Sequence, residues 1–139
     1  MLPRYQKHSD HDTRIGSAVT AIKAILPLNL YPAHKRFLLS SSIWHITEAD
    51  GKFKVRYWSE GAIDSDKKDW RHEHIHERRE LIERLLNGEA VDSVVADAIA
   101  CIVSRKEHEL LGAQTGSGWS RYRTAGIRVY DSLEGCWRQ

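Results

Sequence analysis

The N-terminal part of the chain has the spacing of two amphipathic helices. Apolar residues recur three and four positions apart between Asp12 and about Leu26, at Ile15, Val19, Ile22 and Leu26, and this period predicts a helix. Pro27 ends the helix, because proline disfavours helical geometry in the residue before it. Pro32 begins a second helix that runs to about Glu48. Its predicted buried stripe consists of Phe37, Leu38, Ser41 and Trp44, with Leu39 and Ile43 beside it.

The middle of the chain changes to a period of two. Residues 52–58 alternate polar and apolar side chains, which predicts a strand, and residues 59–68 read as a polar loop. The segment 70–75 fits either a second strand or the first turn of a helix. From His76 or Glu77 to Leu86 the apolar residues return to helical spacing, and Asn87-Gly88 ends that helix.

Short helices and strands alternate in the last third of the chain. Residues 90–98 predict a helix, and the apolar run 99–104 predicts a buried strand. Ser104, followed three residues later by Glu107, matches a capping box, so a helix that carries His108 is expected from about Arg105. Residues 112–118 predict a flexible loop, 119–124 a short helix and 127–130 a closing strand.

These elements predict a single α+β domain over residues 1–139, in which N-terminal helices pack with a small sheet. Residues 12–48 form the helical part and residues 52–139 the mixed part. The length suffices for one core. Because 21 Lys and Arg stand against 19 Asp and Glu, the net charge of +2 neither favours nor excludes nucleic acid. No apolar stretch has the length of a signal-peptide core or a membrane span, so a cytoplasmic location is expected.

The two cysteines and the eight histidines differ in what they indicate. Cys101 lies in an apolar run and is expected to be a small buried residue, and Cys101 and Cys136 do not make a disulfide framework. Three of the histidines, His72, His74 and His76, fall within five residues. Imidazole is the commonest metal ligand in proteins and a frequent general base. The segment 71–76 is therefore the predicted functional centre, against the alternative of a solvated polar surface.

Backbone conformation decides which chemistry this segment supports. In a helix, His72 and His76 share a face, and His72-Glu73-His74-Ile75-His76 matches the His-Glu-x-x-His motif of zinc peptidases. The two outer histidines would then bind Zn²⁺ and Glu73 would be the base. In a strand, positions 72, 74 and 76 share one face and Glu73 points to the other.

The strand version resembles the HNH-type, ββα-metal nucleases over about residues 70–112. It is carried by Glu73-His74 at a strand end, followed by the apolar strand 99–103 and a helix bearing His108. The resemblance implies that Glu73 and His108 bind a divalent cation (Mg²⁺, Mn²⁺ or Zn²⁺) and that His74 activates water. It also implies hydrolysis of DNA or RNA. Three flanking segments, 44–47, 57–62 and 121–127, also resemble a group of bacterial proteins without an assigned activity.

Basic residues accompany the histidines and predict a phosphate-binding rim. They are Arg71, Arg78, Arg79, Arg105, Lys106, Arg121 and Arg123. The nearby Trp119 and Tyr122 are expected to be core anchors rather than platforms for bases. Three functions remain open at this point: a metal-dependent nuclease, a zinc hydrolase, and a non-catalytic nucleic-acid-binding or regulatory domain on a degenerate nuclease scaffold. The last is favoured by the absence of the asparagine that orients the base in HNH nucleases.

Overall fold

The computed structural model describes residues 1–138, which divide into two compact units. Unit 1 combines residues Met1–Gln6, Gly51–Ile75 and the chain from Ala100 onward, and unit 2 combines Lys7–Asp50 with His76–Ile99. The predicted α+β class is confirmed, because the described residues form helices and one five-stranded mixed sheet.

The elements follow one another in this order. The helices are α1 (His11–Ile25), α2 (Pro32–Thr47), α3 (Glu60–Ile63), α4 (Arg78–Leu86), α5 (Val91–Ala96), α6 (Arg105–Gly112) and α7 (Trp119–Thr124). The strands are β1 (Tyr57–Ser59), β2 (Trp70–His74), β3 (Ala100–Ser104), β4 (Val129–Asp131) and β5 (Cys136–Trp137). In the part of the chain that the structure describes, no helix is both long enough and apolar enough to span a membrane.

Unit 2 is helical, and its core joins α1 and α2 to α4 and α5. The buried residues are Ala18, Ile22, Leu39, Ile43, Ile46, Leu81, Ile82, Leu85, Val94 and Ala98. The predicted stripe of α2 is wrong, since Phe37 is 71% exposed while Leu39 and Ile43 are buried. Apolar residues occur on several sides of α2, and the helices that pack against it select the buried side.

Unit 1 holds the sheet, whose strand order is β2-β3-β1-β4-β5. Strands β1 and β3 are parallel, and the other neighbours are antiparallel. The segment 70–75 is a strand rather than a helical turn, paired with β3 from Trp70↔Ser104 to His74↔Ala100. The strand predicted over 52–58 is shorter, because Phe53 has a left-handed backbone (φ 57°) that interrupts the extended chain.

The two faces of the sheet carry different residues, because successive side chains of a strand alternate. One face holds Trp58, Trp70 and Ile102, which pack into the apolar core of unit 1. The other face holds Glu73, Cys101 and Tyr57, which lie side by side in register. Helix α6 packs on β2 and β3, and Trp119 of α7 meets Tyr57 edge-on with ring centroids 5.0 Å apart.

The predicted capping box starts α6. The Ser104 hydroxyl accepts from the Glu107 backbone N–H at 3.1 Å, and the Glu107 carboxylate accepts from the Ser104 N–H at 2.8 Å. This local signal places His108 on the first turn of a helix that follows directly from β3. Cys101 is buried and Cys136 exposed, and both are free thiols.

Candidate functional site

Glu73 and His108 form a hydrogen-bonded pair on the face of the sheet covered by α6. His108 Nδ1 lies 2.5 Å from Glu73 Oε2. The Glu73 side chain is 11% exposed and the His108 side chain 51% exposed. The sequence predicted that these two residues share a site, and the structure brings their side chains together. A largely buried carboxylate thus holds a half-exposed imidazole.

Arg121 of α7 is the second partner of Glu73. Its side chain is 1% exposed, and its Nη1 lies 3.5 Å from Glu73 Oε1. Its Nη2 donates to the backbone carbonyls of His74 at 2.8 Å and Ile75 at 2.9 Å. The predicted role of Arg121 in an exposed phosphate-binding rim is therefore wrong, because the guanidinium is enclosed and neutralises the Glu73 carboxylate.

Cys101 and Tyr122 lie below the pair. Cys101 is the β3 partner of Glu73, and burial raises the pKa of its thiol well above the ordinary value, with further increases from the Glu107 and Glu73 carboxylates. Burial likewise raises the pKa of Tyr122, and the neighbouring Cys101 and Glu73 raise it further. The Tyr122 hydroxyl lies next to the Cys101 thiol. This hydroxyl makes no hydrogen bond of ordinary geometry to any described residue. The Cys101 thiol and the Tyr122 hydroxyl therefore stay protonated at neutral pH, and they add no charge beside Glu73.

His74 does not join this site. Its side chain is 7% exposed, and its ring lies 5.1 Å from that of His72, centroid to centroid. Because β2 keeps its register with β3 through His74, the side chains of Glu73 and His74 point to opposite faces of the sheet. The prediction that His74 and Glu73 act on one reacting centre is not met by this geometry.

The zinc-peptidase motif also lacks its required conformation. His72 lies in β2, and the chain bends before α4, so residues 72–76 are not helical. His76 belongs to unit 2, where its Nδ1 lies 3.9 Å from Glu80 at the end of α4's first turn. His72 and His76 therefore do not present two imidazoles on one helix face.

The residues around Glu73 do not fit a metal site as they are arranged. The described residues include no group of three or more His, Cys, Asp or Glu side chains that could hold a metal ion. Glu73 Oε2 is bonded to His108 Nδ1, and its Oε1 faces the Arg121 guanidinium. A cation shared by Glu73 and His108 Nδ1 would have to replace that hydrogen bond beside a fixed positive charge.

Comparison with known proteins assigns no family. No protein-family model matches the chain, and no curated protein or solved structure is significantly similar to it.

The predicted basic residues are divided between the units. Arg105 and Lys106 are exposed on α6, and Arg123 is exposed on α7. Arg71 is half-buried on β2, where it donates to the Lys68 and Trp70 carbonyls. Three of these basic residues thus share an element with the pair: Arg71 lies on β2 with Glu73, and Arg105 and Lys106 lie on α6 with His108.

The other two predicted rim arginines belong to unit 2. Arg78 stacks on Trp44 at 4.7 Å and donates to Ser40, and the exposed Arg79 pairs with Glu77 at 3.5 Å. Arg78 therefore has a packing role within that unit.

The aromatic side chains of unit 1 are packed rather than open. Trp119 lies between Tyr57 and Tyr122, with ring centroids 5.0 Å and 5.2 Å away, and Arg138 covers it at 4.0 Å. Tyr122 is 1% exposed. The expectation that Trp119 and Tyr122 are core anchors agrees with these contacts.

Glu107 has a wider role than its local sequence indicates. Its carboxylate accepts from the Ser59 hydroxyl at 2.5 Å and from the Gly61 backbone N–H at 3.3 Å, besides Ser104. It thereby joins the starts of α3 and α6, which follow the parallel strands β1 and β3. The capping-box pattern identified Glu107 as a local cap, but the contact with residues 59–61 depends on the pairing of β1 with β3.

Proposed function

We propose that the chain is a nucleic-acid phosphodiesterase of the RNA-cleaving type, in which His108 is the general base and Glu73 orients it. The observation that carries the proposal is the 2.5 Å hydrogen bond between one nitrogen of a half-exposed imidazole and a carboxylate that is only 11% exposed. A carboxylate in this position fixes the tautomer and orientation of a catalytic histidine and stabilises the imidazolium that forms.

The bond to Glu73 leaves the other ring nitrogen for the substrate. With the proton on Nδ1 donated to Glu73, Nε2 carries the lone pair that accepts a proton. Nε2 makes no hydrogen bond to any residue within 1–138. On the other side of Glu73, the Arg121 guanidinium faces Oε1, so Oε2 is the oxygen that accepts from His108.

RNA suits this arrangement because it contains its own nucleophile. His108 Nε2 takes the proton of a 2′-hydroxyl, the 2′-oxygen forms a bond to phosphorus, and the bond from phosphorus to the 5′-oxygen breaks. The leaving 5′-oxygen takes a proton from the imidazolium or from water, and the product carries a 2′,3′-cyclic phosphate. The exposed Arg105 and Lys106, on the same helix as His108, supply positive charge for the RNA backbone.

The test is cleavage of an RNA oligonucleotide compared with DNA of the same sequence. His108→Ala should lower the rate about 10²- to 10⁴-fold, the usual contribution of a general base. Glu73→Gln should also lower the cleavage rate. The matched control is His45→Ala, because His45 is an exposed histidine of unit 2, and this variant should keep the wild-type rate.

A chelator distinguishes this mechanism from the HNH-like one. Because no step uses a cation, EDTA should leave the cleavage rate within about twofold of its value in buffer, whereas a metal-dependent nuclease loses its activity. Cleavage of DNA that needs Mg²⁺ or Mn²⁺ and His74 would replace the proposal with the HNH-like mechanism. Binding of RNA without cleavage of either polymer would overturn it in favour of a non-catalytic domain.

A further inference from the structure

A cavity lies on the face of the sheet opposite Glu73. Its volume is about 360 Å³, within the range of small-molecule pockets. The residues that line it are Met1, Leu2, Pro3, Arg4, Trp58, Ile63 and Trp70. All of them belong to unit 1. The N-terminal segment, the two tryptophans and Ile63 therefore line one open cavity.

The two tryptophans form fixed apolar walls. The Trp58 indole N–H donates to the Val55 carbonyl at 3.0 Å, and the Trp70 indole N–H donates to the Ala62 carbonyl at 2.9 Å. Their rings meet edge-on with centroids 4.7 Å apart. Because both indole donors already have acceptors, the walls offer a ligand aromatic and aliphatic surface and no indole hydrogen bond.

Arg4 is the charged side chain among the described lining residues. It is exposed, and it has no ion pair or hydrogen bond to any residue in the described chain. The segment that carries Arg4 is held at Tyr5, whose backbone N–H donates at 3.3 Å to the carbonyl of Ser132, the residue after β4. A free guanidinium thus lies at the side of an apolar cavity. A ligand that joins an anion to an apolar group could pair with the guanidinium and pack against the apolar walls.

We propose that this cavity is a binding site for a flat aromatic anion, such as an aryl carboxylate. The ring system would pack against Trp58, Trp70 and Ile63, and the carboxylate would pair with Arg4. The planar donors of a guanidinium match the two oxygens of a carboxylate. The apolar walls favour a ligand whose ring system is apolar, because its burial removes apolar surface from water. The site is independent of His108, since the two lie on opposite faces of the sheet.

The experiment is a titration of the full chain with 2-naphthoate, followed by the indole N–H signals in ¹H–¹⁵N spectra. The five tryptophans are assigned with single Trp→Phe variants. The Trp58 and Trp70 signals should shift saturably, and the signal of Trp44, in unit 2, should not. Arg4→Gln should weaken naphthoate binding roughly fivefold, the upper value for an exposed ion pair, and leave binding of the neutral 2-naphthamide unchanged.

Control variants and ligands make each outcome decisive. Lys54→Gln removes an equal charge from an exposed side chain outside the cavity and should not change the affinity. Ile63→Trp, which fills the cavity, should abolish binding. The proposal is overturned if Trp58 and Trp70 do not respond, if Arg4→Gln weakens the acid and the amide equally, or if decanoate binds as tightly as 2-naphthoate.

Discussion

Replacement of Arg121 by methionine tests the energetic basis of the site. Methionine keeps an unbranched apolar side chain of comparable length, so the change mainly removes the guanidinium. The variant loses two hydrogen bonds, to the carbonyls of His74 and Ile75, and leaves the Glu73 carboxylate without its positive neighbour. Hydrogen bonds from charged donors contribute about 1.5–3 kcal/mol each, and breaking a buried ion pair costs about 3–5 kcal/mol.

We therefore expect Arg121→Met to lower the free energy of unfolding by about 3–5 kcal/mol, since both estimates concern the loss of one guanidinium and are not additive. For a chain of this length that is a fall in Tm of about 10–15 °C. Urea unfolding followed by tryptophan fluorescence measures the loss, because four of the five tryptophans lie in unit 1. Arg123→Met is the matched control, an exposed arginine two positions along α7, and it should change stability by less than about 0.5 kcal/mol.

A second substitution separates charge from packing. Glu73→Gln on the Arg121→Met background removes the unpaired carboxylate, so the double variant should be more stable than Arg121→Met alone. If Arg121→Met costs less than about 1 kcal/mol, or if Glu73→Gln lowers its stability further, then Arg121 does not neutralise a buried Glu73 and the account of the site fails.

Two further predictions concern other parts of unit 1. In Gly61→Ala the added Cβ would overlap the Glu107 carboxylate, so the free energy of unfolding measured in urea should fall by about 2–3 kcal/mol. The control Gly112→Ala, whose Cβ meets no neighbour, should be neutral or slightly stabilising. Equal effects of the two substitutions would contradict the predicted overlap with Glu107. The pKa of Asp131 is lowered from the ordinary 3.8, mainly by its hydrogen bonds with Arg56. Its ionised form therefore stabilises the fold fully above pH 3.8, and this contribution is lost as the pH falls through the lower folded-state pKa. Asp131→Asn should flatten the dependence of unfolding free energy on pH below about 4, and an unchanged slope would refute the assignment.

Part of the fold follows from local sequence signals. Helices α1, α2, α4 and α7 begin and end within a few residues of their predicted limits, because proline, Asn87-Gly88 and helical spacing act within one or two turns. The Ser104–Glu107 capping box placed the start of α6 and hence His108. The short strand β5 and the helix α3 were not predicted. Strand β5 has only two residues, too few to show an alternating pattern, and it pairs with β4 across a turn. Ser59, at the start of α3, bonds to Glu107, which is forty-eight positions away in the chain.

The sequence by itself determined that Glu73 lies beside a row of histidines and that His108 lies one turn into a helix, because both facts depend on neighbours in the chain. The tertiary structure alone decided which of these side chains meet. The pairing of β2 with β3 points Glu73 to one face and His74 to the other, and the packing of α6 and α7 brings His108 and Arg121 to the Glu73 carboxylate. A carboxylate in the interior needs such partners, and residues thirty-five and forty-eight positions away in the chain provide them.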